Sequence, residues 1–453
     1  MNTNKELFET MPIPKALATL AIPTIISQLI TMIYNLADTF FIGKSNDPYK
    51  IASASIAFIL FFIMNALSNL FGVGGGSLIS RMLGQHQEDE AKKVCAISIY
   101  GTLLVTIIYI IICYIFMDPL LRLMGASDNT IGYASAYIIW VVIVGGIPSS
   151  VSMTMAHLLR SVGYAKQASF GLGMGGVLNI ILDPLFMFVI LPAGYEVTGA
   201  AVATMLSNVC SLIYFIIIFL RLRSTNVLTG SPRIAVHGMK YIGQILAVGL
   251  PSALSSLLNC LANMVVNNLM STYGDIPIAA MGIVKKIDML PMNVGMGLCQ
   301  GMMPLVAYNY ASKNYKRMRE AISCARISGM AFAGFCIVMF ELFTGTIVRL
   351  FVEEPNTLQM GIEFLRICCI ATPVMISNFQ MNFTFQAMGK GKEALLLSCC
   401  RQGLVNIPLL FVMKHFFGLY GIAWTQLLAD GITMIISIVL YRMIIQKILK
   451  EAV

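Results

Sequence analysis

The chain has 453 residues, 58% of them hydrophobic and 11% charged, and a formal net charge of +9. A soluble chain carries about 25% charged residues, whereas here the apolar residues come in runs of about twenty, the length of a helix that crosses a bilayer core. These proportions exclude a soluble enzyme, a disulfide-stapled secreted scaffold, a disordered chain and a nucleic-acid-binding domain. They leave a polytopic helical membrane protein with little mass outside the bilayer.

Breaks that contain charges, Pro or Gly divide the apolar runs into twelve predicted helical spans. They fall at 15–42, 53–80, 94–116, 131–156, 164–191, 198–220, 240–271, 278–310, 321–343, 357–387, 394–413 and 419–445. Several exceed twenty residues, which implies tilt or extension past the bilayer. Alternate connections differ sharply in Lys and Arg. Both termini and the loops near 81–93, 157–167, 221–240, 311–320 and 388–393 hold about 20 of the 30 basic residues. The opposite set holds Lys44, Lys50, Arg122, Arg349 and Lys414. The positive-inside rule then places both termini in the cytoplasm of a cell-membrane protein. The N-terminal stretch lacks a short apolar region with a cleavage site, so no removable signal peptide is expected. The 11 cysteines lie in or beside apolar segments and read as buried thiols. The four histidines lie at span ends or in loops and read as solvated.

The chain resembles itself at an offset of about 225 residues. Ile22-Pro23 matches Leu250-Pro251, and the glycine-rich stretch 72–76 matches 297–301. Gly163-Tyr164-Ala165-Lys166 matches Gly389-Lys390-Gly391-Lys392, Val177–Ile180 matches Leu404–Ile407, and Gly199–Ala201 matches Gly421–Ala423. Six spans per copy give the copies one orientation. The expected architecture is all-α, with two parallel-repeat six-helix lobes and a substrate path between them. The lobes are 1–220 and 240–453, joined by a cytoplasmic linker at 221–239.

An ionisable residue inside a span is costly and marks function. Asp38 in span 1 and Asp183 in span 5 both fall roughly 7–12 Å below the external mouth at a rise of 1.5 Å per residue. Asn179 shares a helix face with Asp183, and Tyr34 and Asn35 stand on the Asp38 side of span 1, where they are expected to line the substrate cavity. Thr204 lies at the same depth in span 6. No basic residue of the first half reaches that level. Two buried carboxylates close together favour sharing a proton, and with amide oxygens they can instead hold a monovalent cation. Asp183 also has a structural reading, in which it satisfies backbone groups freed by Pro184. In the second half, Asp38 maps near Asn267 and Asp183 near Leu410, so neither acid is duplicated. Lys285, Lys286 and Asp288 in span 8, with Glu363 and Arg366 in span 10, form a salt-bridged network on one reading. On the other, Lys285 and Asp288 line the substrate cavity. Asp430 stands as a lone acid. Pro23 removes a backbone hydrogen bond within span 1 and gives it a kink point. The 31 Met and 25 Phe suit an adaptable apolar pocket.

These residues resemble the multidrug and toxic compound extrusion (MATE) family. The resemblance rests on residues 34–43 (Tyr34-Asn35-Leu36-Ala37-Asp38 onward), Asn179–Pro184, Gly199–Thr204, Ser80–Gly84 after the glycine-rich end of span 2, and Gly301–Tyr310. It covers essentially the whole chain and is strongest toward the MepA-type bacterial exporters of the DinF-like branch. It implies a V-shaped pair of lobes that alternates between inward- and outward-open states and exports organic cations in exchange for H+ or Na+. It further implies Asp38 as the principal coupling residue, Asn179 and Asp183 as its support, and Pro23 as the kinking proline of helix 1. The other branch uses acids of its second lobe, a pattern from which the region of Lys285, Lys286 and Asp288 departs.

The leading expectation is therefore a secondary antiporter for small organic cations and drugs, monomeric in the lipid bilayer, with no cofactor beyond its coupling ion. The alternative is a flippase for a lipid-linked precursor, which would need cations deep in its cavity. A membrane enzyme is disfavoured because the longest cytoplasmic loop offers Arg221, Arg223, Arg233 and His237 but no carboxylate. An ATP-driven pump is disfavoured because no GxxxxGK[ST] stretch is present.

Overall fold

The computed structural model describes residues 5–45, 47–192, 194–223 and 227–451; part of the expected linker, 224–226, lies outside the described residues. Among the described residues the chain is helical and contains no strand. This is the arrangement in which an apolar segment satisfies its own backbone hydrogen bonds without water.

Among the described residues twelve long helices follow the twelve expected spans in order, and eight to ten spans are long and apolar enough by themselves to cross a membrane. They are α1 (Ile13–Gly43), α2 (Pro48–Gly84), α3 (Glu88–Ile115), α4 (Ile131–Val144 and Gly146–Ser161, bent by 50°), α5 (Ala165–Ile190) and α6 (Glu196–Leu222). In the second half come α7 (Ile242–Ser271), α8 (Asp275–Ala311), α9 (Tyr315–Arg349), α10 (Pro355–Cys369 and Thr372–Ala387, bent by 46°), α11 (391–417) and α12 (419–451). The α11–α12 connection is tighter than expected, because the chain turns on Gly418 alone (φ 61°, ψ −139°), a conformation that glycine adopts without a Cβ clash. Helix α2 starts earlier than expected, with Pro48 in its first turn and Asp47 accepting from Tyr49 N at 2.9 Å. Glu354 caps α10 in the same way, accepting from Asn356 N (3.1 Å) and Thr357 N (2.6 Å).

The outer surface is apolar in helical stripes. On α3, Leu104, Ile108, Ile111 and Ile115 are 60, 48, 50 and 64% exposed, and their spacing puts them on one face. Such a face is stable only against lipid. The eleven cysteines are all free.

We call the end of the bundle at which the first and last described residues lie basal, and the other distal. Distally, each half of the chain has its own core. One is built from Ala57, Leu60, Met64, Leu121, Tyr137 and Val141 with their neighbours, the other from Met270, Val284, Phe340, Phe364 and Leu410 with theirs. Basally the cores are mixed. Leu7, Phe8, Ala16, Leu17 and Leu20 pack with Met302, Leu305, Met318 and Phe385, while Ile245 of α7 packs with Phe71, Leu78 and Leu158. The basal half of α1 thus lies in the second core, and the basal half of α7 lies in the first. Small residues permit these crossings. A Cβ on Gly301 would lie 2.5 Å from Ala21 Cα, and one on Gly74 would lie 2.2 Å from the Ile245 carbonyl oxygen. The two lobes are joined at the basal end and separate at the distal end.

An N-terminal turn, Glu6–Thr10, adds to the basal closure. Phe8 stacks on Tyr308 at 4.9 Å, Glu9 accepts from Tyr308 Oη at 2.5 Å, and Arg317 donates to the carbonyls of Phe8 (2.7 Å) and Met11 (2.6 Å).

Candidate functional site

Helices α1 and α5 pack side by side in the distal half of the first lobe. Asp38 and Tyr34 come from α1, Asn179 and Asp183 from α5, one helical turn apart, and Thr204 from the distal end of α6. Asp183 is 0%, Asn179 2% and Thr204 7% exposed; Asp38 and Tyr34 are half-buried. The Asn179 amide nitrogen donates to Asp183 Oδ1 and to Thr204 Oγ1, both at 3.1 Å. Tyr34 lies within electrostatic reach of Asp38 and Asp183, and the two acids lie within reach of each other.

What the group leaves unsatisfied defines its chemistry. Asp38 Oδ1, Asp183 Oδ2 and Asn179 Oδ1 are buried and have no hydrogen-bond partner among the described residues. Neither acid forms an ion pair there. Three acceptor oxygens without donors call for a proton or a small hard cation. Carboxylate and amide oxygens fit either.

The expected members are brought together with one exception and one addition. Asn35 stays half-buried; its backbone carbonyl accepts from Thr39 Oγ1 at 3.0 Å, and no hydrogen bond links its amide to the acids among the described residues. Tyr137 of α4 joins the group. It is 3% exposed, stands beside Thr204, and lies in electrostatic reach of Asp38, Tyr34 and Asp183. The depth argument that selects Thr204 also selects Tyr137, six residues inside span 4.

Pro23 lies inside α1, which runs as one helix from Ile13 to Gly43. It marks the changeover between the basal half, packed in the second core, and the distal half, packed on α5. Just after it, Thr24, Ser27 and Thr31 return their hydroxyls to the carbonyls of Leu20, Thr24 and Ser27 at 2.8–2.9 Å, a pattern that bends helices.

The second lobe differs from expectation in three ways. Lys285, Lys286 and Asp288 form no salt bridge among the described residues. Lys285 Nζ and Asp288 Oδ1 are buried without partners near Cys368, and Asp288 is also near Cys336. Glu363 does not pair with Arg366: it accepts from Tyr420 and from Gln359 Nε2 (2.8 Å), while Arg366 meets Glu341 at 3.5 Å. Asp430 is not a lone acid. Arg401 Nε donates to its Oδ1 at 2.6 Å, Asn378 to the same oxygen at 3.2 Å and Gln426 to Oδ2 at 2.8 Å, with the guanidinium 4.4 Å from the Phe379 ring centre. Gln426 stands one turn before Asp430 on the same helix, but Arg401 and Asn378 come from 29 and 52 residues away, so no local pattern announces them. His157 is likewise buried, at 8%, rather than solvated.

Sequence reading also passes over a polar row on α7. Asn259, Asn263 and Asn267 recur every fourth residue, the latter two exposed, with Asn263 Nδ2 donating to Asn259 Oδ1 at 2.8 Å. Exposed amides in a distal half-helix are unsuited to lipid.

A two-lobed helical bundle with unpaired acids buried inside it is an architecture of membrane transporters. The MatE family model matches residues 23–185 and again 251–412, once in each half. The multidrug export protein MepA of Staphylococcus aureus (strain MRSA252) is 32% identical over 430 residues, covering 94% of this chain and 92% of the relative. A crystal structure of a MATE protein in complex with MaL6 superposes with a TM-score of 0.93 at 24% identity, covering 99% of this chain and all of that one. An outward-facing multidrug resistance MATE transporter of the MOP superfamily gives 0.92 at 25% identity, with 99% of each chain covered. The chain belongs to the MatE family, whose members are multi-pass membrane transporters.

Proposed function

We propose that this protein is a multidrug efflux antiporter that exports organic cationic and amphipathic compounds in exchange for H+, with Na+ as the other coupling ion that fits the donor set. The observation that carries this reading is the pair of half-buried Asp38 and buried Asp183, each with one buried oxygen unsatisfied and neither with a basic partner among the described residues. Asn179 orients Asp183, Thr204 holds Asn179, and Tyr34 and Tyr137 wall the group. Asp38, half-open to the cleft, is the entry point for the ion.

The basal end is the cytoplasmic one, so both termini are inside the cell and the open mouth faces outward. The moving bodies are residues 1–220 and 240–453, linked through 221–239 and hinged in part at Pro23. A bound ion neutralises the acids and favours one arrangement of the lobes, and a cationic substrate favours the other. The gradient supplies about 1.4 kcal/mol per pH unit and about 2.3 kcal/mol per 100 mV for each charge moved. Lys285 and Asp288 border the substrate path in the second lobe. The protein works as a monomer in the bilayer and needs no nucleotide. Reconstitution into liposomes with separately imposed proton and sodium gradients tests the reading. Efflux of a cationic dye should follow one gradient, and efflux that ignores both would overturn it.

A further inference from the structure

At the basal seam between the lobes is a small cavity lined by Ser80 of α2, His157, Arg160 and Ser161 of α4, Gln300 of α8 and Phe383 of α10. It has room for one occupant about the size of a water molecule or a halide ion. Arg160 is 3% exposed, and its Nε and Nη2 have no hydrogen-bond partner; His157 Nε2 and Gln300 Oε1 are also buried without one. Ser80 and Ser161 spend their hydroxyl hydrogens on the carbonyls of Ser161 (2.8 Å) and Leu158 (2.7 Å). No carboxylate lines the cavity, and Arg160 forms no ion pair among the described residues.

A guanidinium stays charged in a protein, and a buried charge without a counter-charge is strongly unfavourable. Arg160 and His157 bring donors to this space, and Gln300 brings an amide whose nitrogen faces an anion when the group is turned over; only a small occupant fits, which excludes an organic acid or a lipid phosphate. We propose that this cavity binds a small inorganic monoanion of halide size, held by Arg160 and by His157 when Nε2 carries the proton. Arg160 and His157 belong to the first lobe, and Gln300 closes the cavity from the second. The site is complete only while the basal seam is shut, so the anion stabilises the basally closed state and is released when the lobes part there.

The test compares the purified full-length protein in chloride and in gluconate at equal ionic strength. Chloride should raise the melting temperature saturably by about 2 °C, and bromide in crystals should give an anomalous peak beside Arg160. Arg160→Gln should abolish the chloride effect. Gln300→Glu supplies a carboxylate in place of the anion. It should be as stable in gluconate as the unsubstituted protein is in chloride, and it should ignore chloride. If Arg160→Gln does not fold, Gln300→Glu alone decides. A melting temperature indifferent to chloride, an unchanged chloride effect in Gln300→Glu, or water with no bromide peak at Arg160 would each overturn the proposal.

Discussion

Asp183 and Asp430 are both 0% exposed, one in each lobe, yet their surroundings differ in kind. Asp430 has a guanidinium, two amides and no free oxygen. Asp183 and its neighbour Asp38 have one amide donor between them and two orphaned oxygens. An acid already matched to a fixed cation has no reason to bind a mobile one; an unmatched acid does. Burial alone therefore does not mark an acid for exchange; the absence of an internal partner is the further condition, and Asp288 of the second lobe also meets it at Oδ1.

The largest effect should come from the unmatched side. Asp38→Asn should reduce coupled efflux to background in liposomes while membrane insertion is unchanged; full efflux by correctly inserted protein would break the comparison. On the matched side, Arg401→Ala leaves Asp430 buried without its counter-charge, which should cost about 3–5 kcal/mol of stability, read as a lower melting temperature. The double variant Arg401→Met with Asp430→Leu should regain most of that loss and keep ion coupling. Loss of coupling in this well-folded double variant would give both lobes the same role. A smaller effect is expected from Tyr137→Phe, which removes a hydroxyl beside Thr204. It should shift the pH midpoint of efflux by less than about one unit, the scale of one neutral hydrogen bond at about 0.5–1.5 kcal/mol.

The smallest effect belongs to a paired acid in water. Lys93 at 2.7 Å, Lys240 at 3.2 Å and the hydroxyl of Tyr241 surround Glu90 at the start of α3 and hold its carboxyl down to about 2. A depressed carboxyl contributes above its ordinary value, near 4.5, and loses that contribution as pH falls toward 2. Amide exchange of residues 239–243, corrected for its intrinsic rate, should be the same at pH 7 and pH 5 and faster in Glu90→Gln at both. A change between pH 5 and 7 in the unsubstituted protein would show that Glu90 does not hold this contact.

The twelve helices were legible because a bilayer demands about twenty apolar residues per crossing, which little else in a sequence imitates. The first-lobe site was legible because depth follows from counting residues along a helix, and Asn179 and Asp183 share a face by spacing alone. Tyr137 obeyed the same rule and was open to the same count. The partners of Asp430 were not legible: Arg401 and Asn378 reach it from other helices, and helix rotation is set by packing. His157 was misjudged for a related reason, since a position at a span end is solvated only if no second lobe covers it.

The exchange of basal half-helices bears on how the chain is made. The first core waits for Ile245 of α7, and the second waits for Leu17 and Leu20, which were synthesised near the start. Six helices therefore leave the translocation machinery with an open seat, and the opening turns of α1 have no home until α8 and α9 follow. Neither lobe can be finished before the other is well begun. A cut in the linker should be harmless in the completed protein, yet ruinous for a first lobe produced by itself.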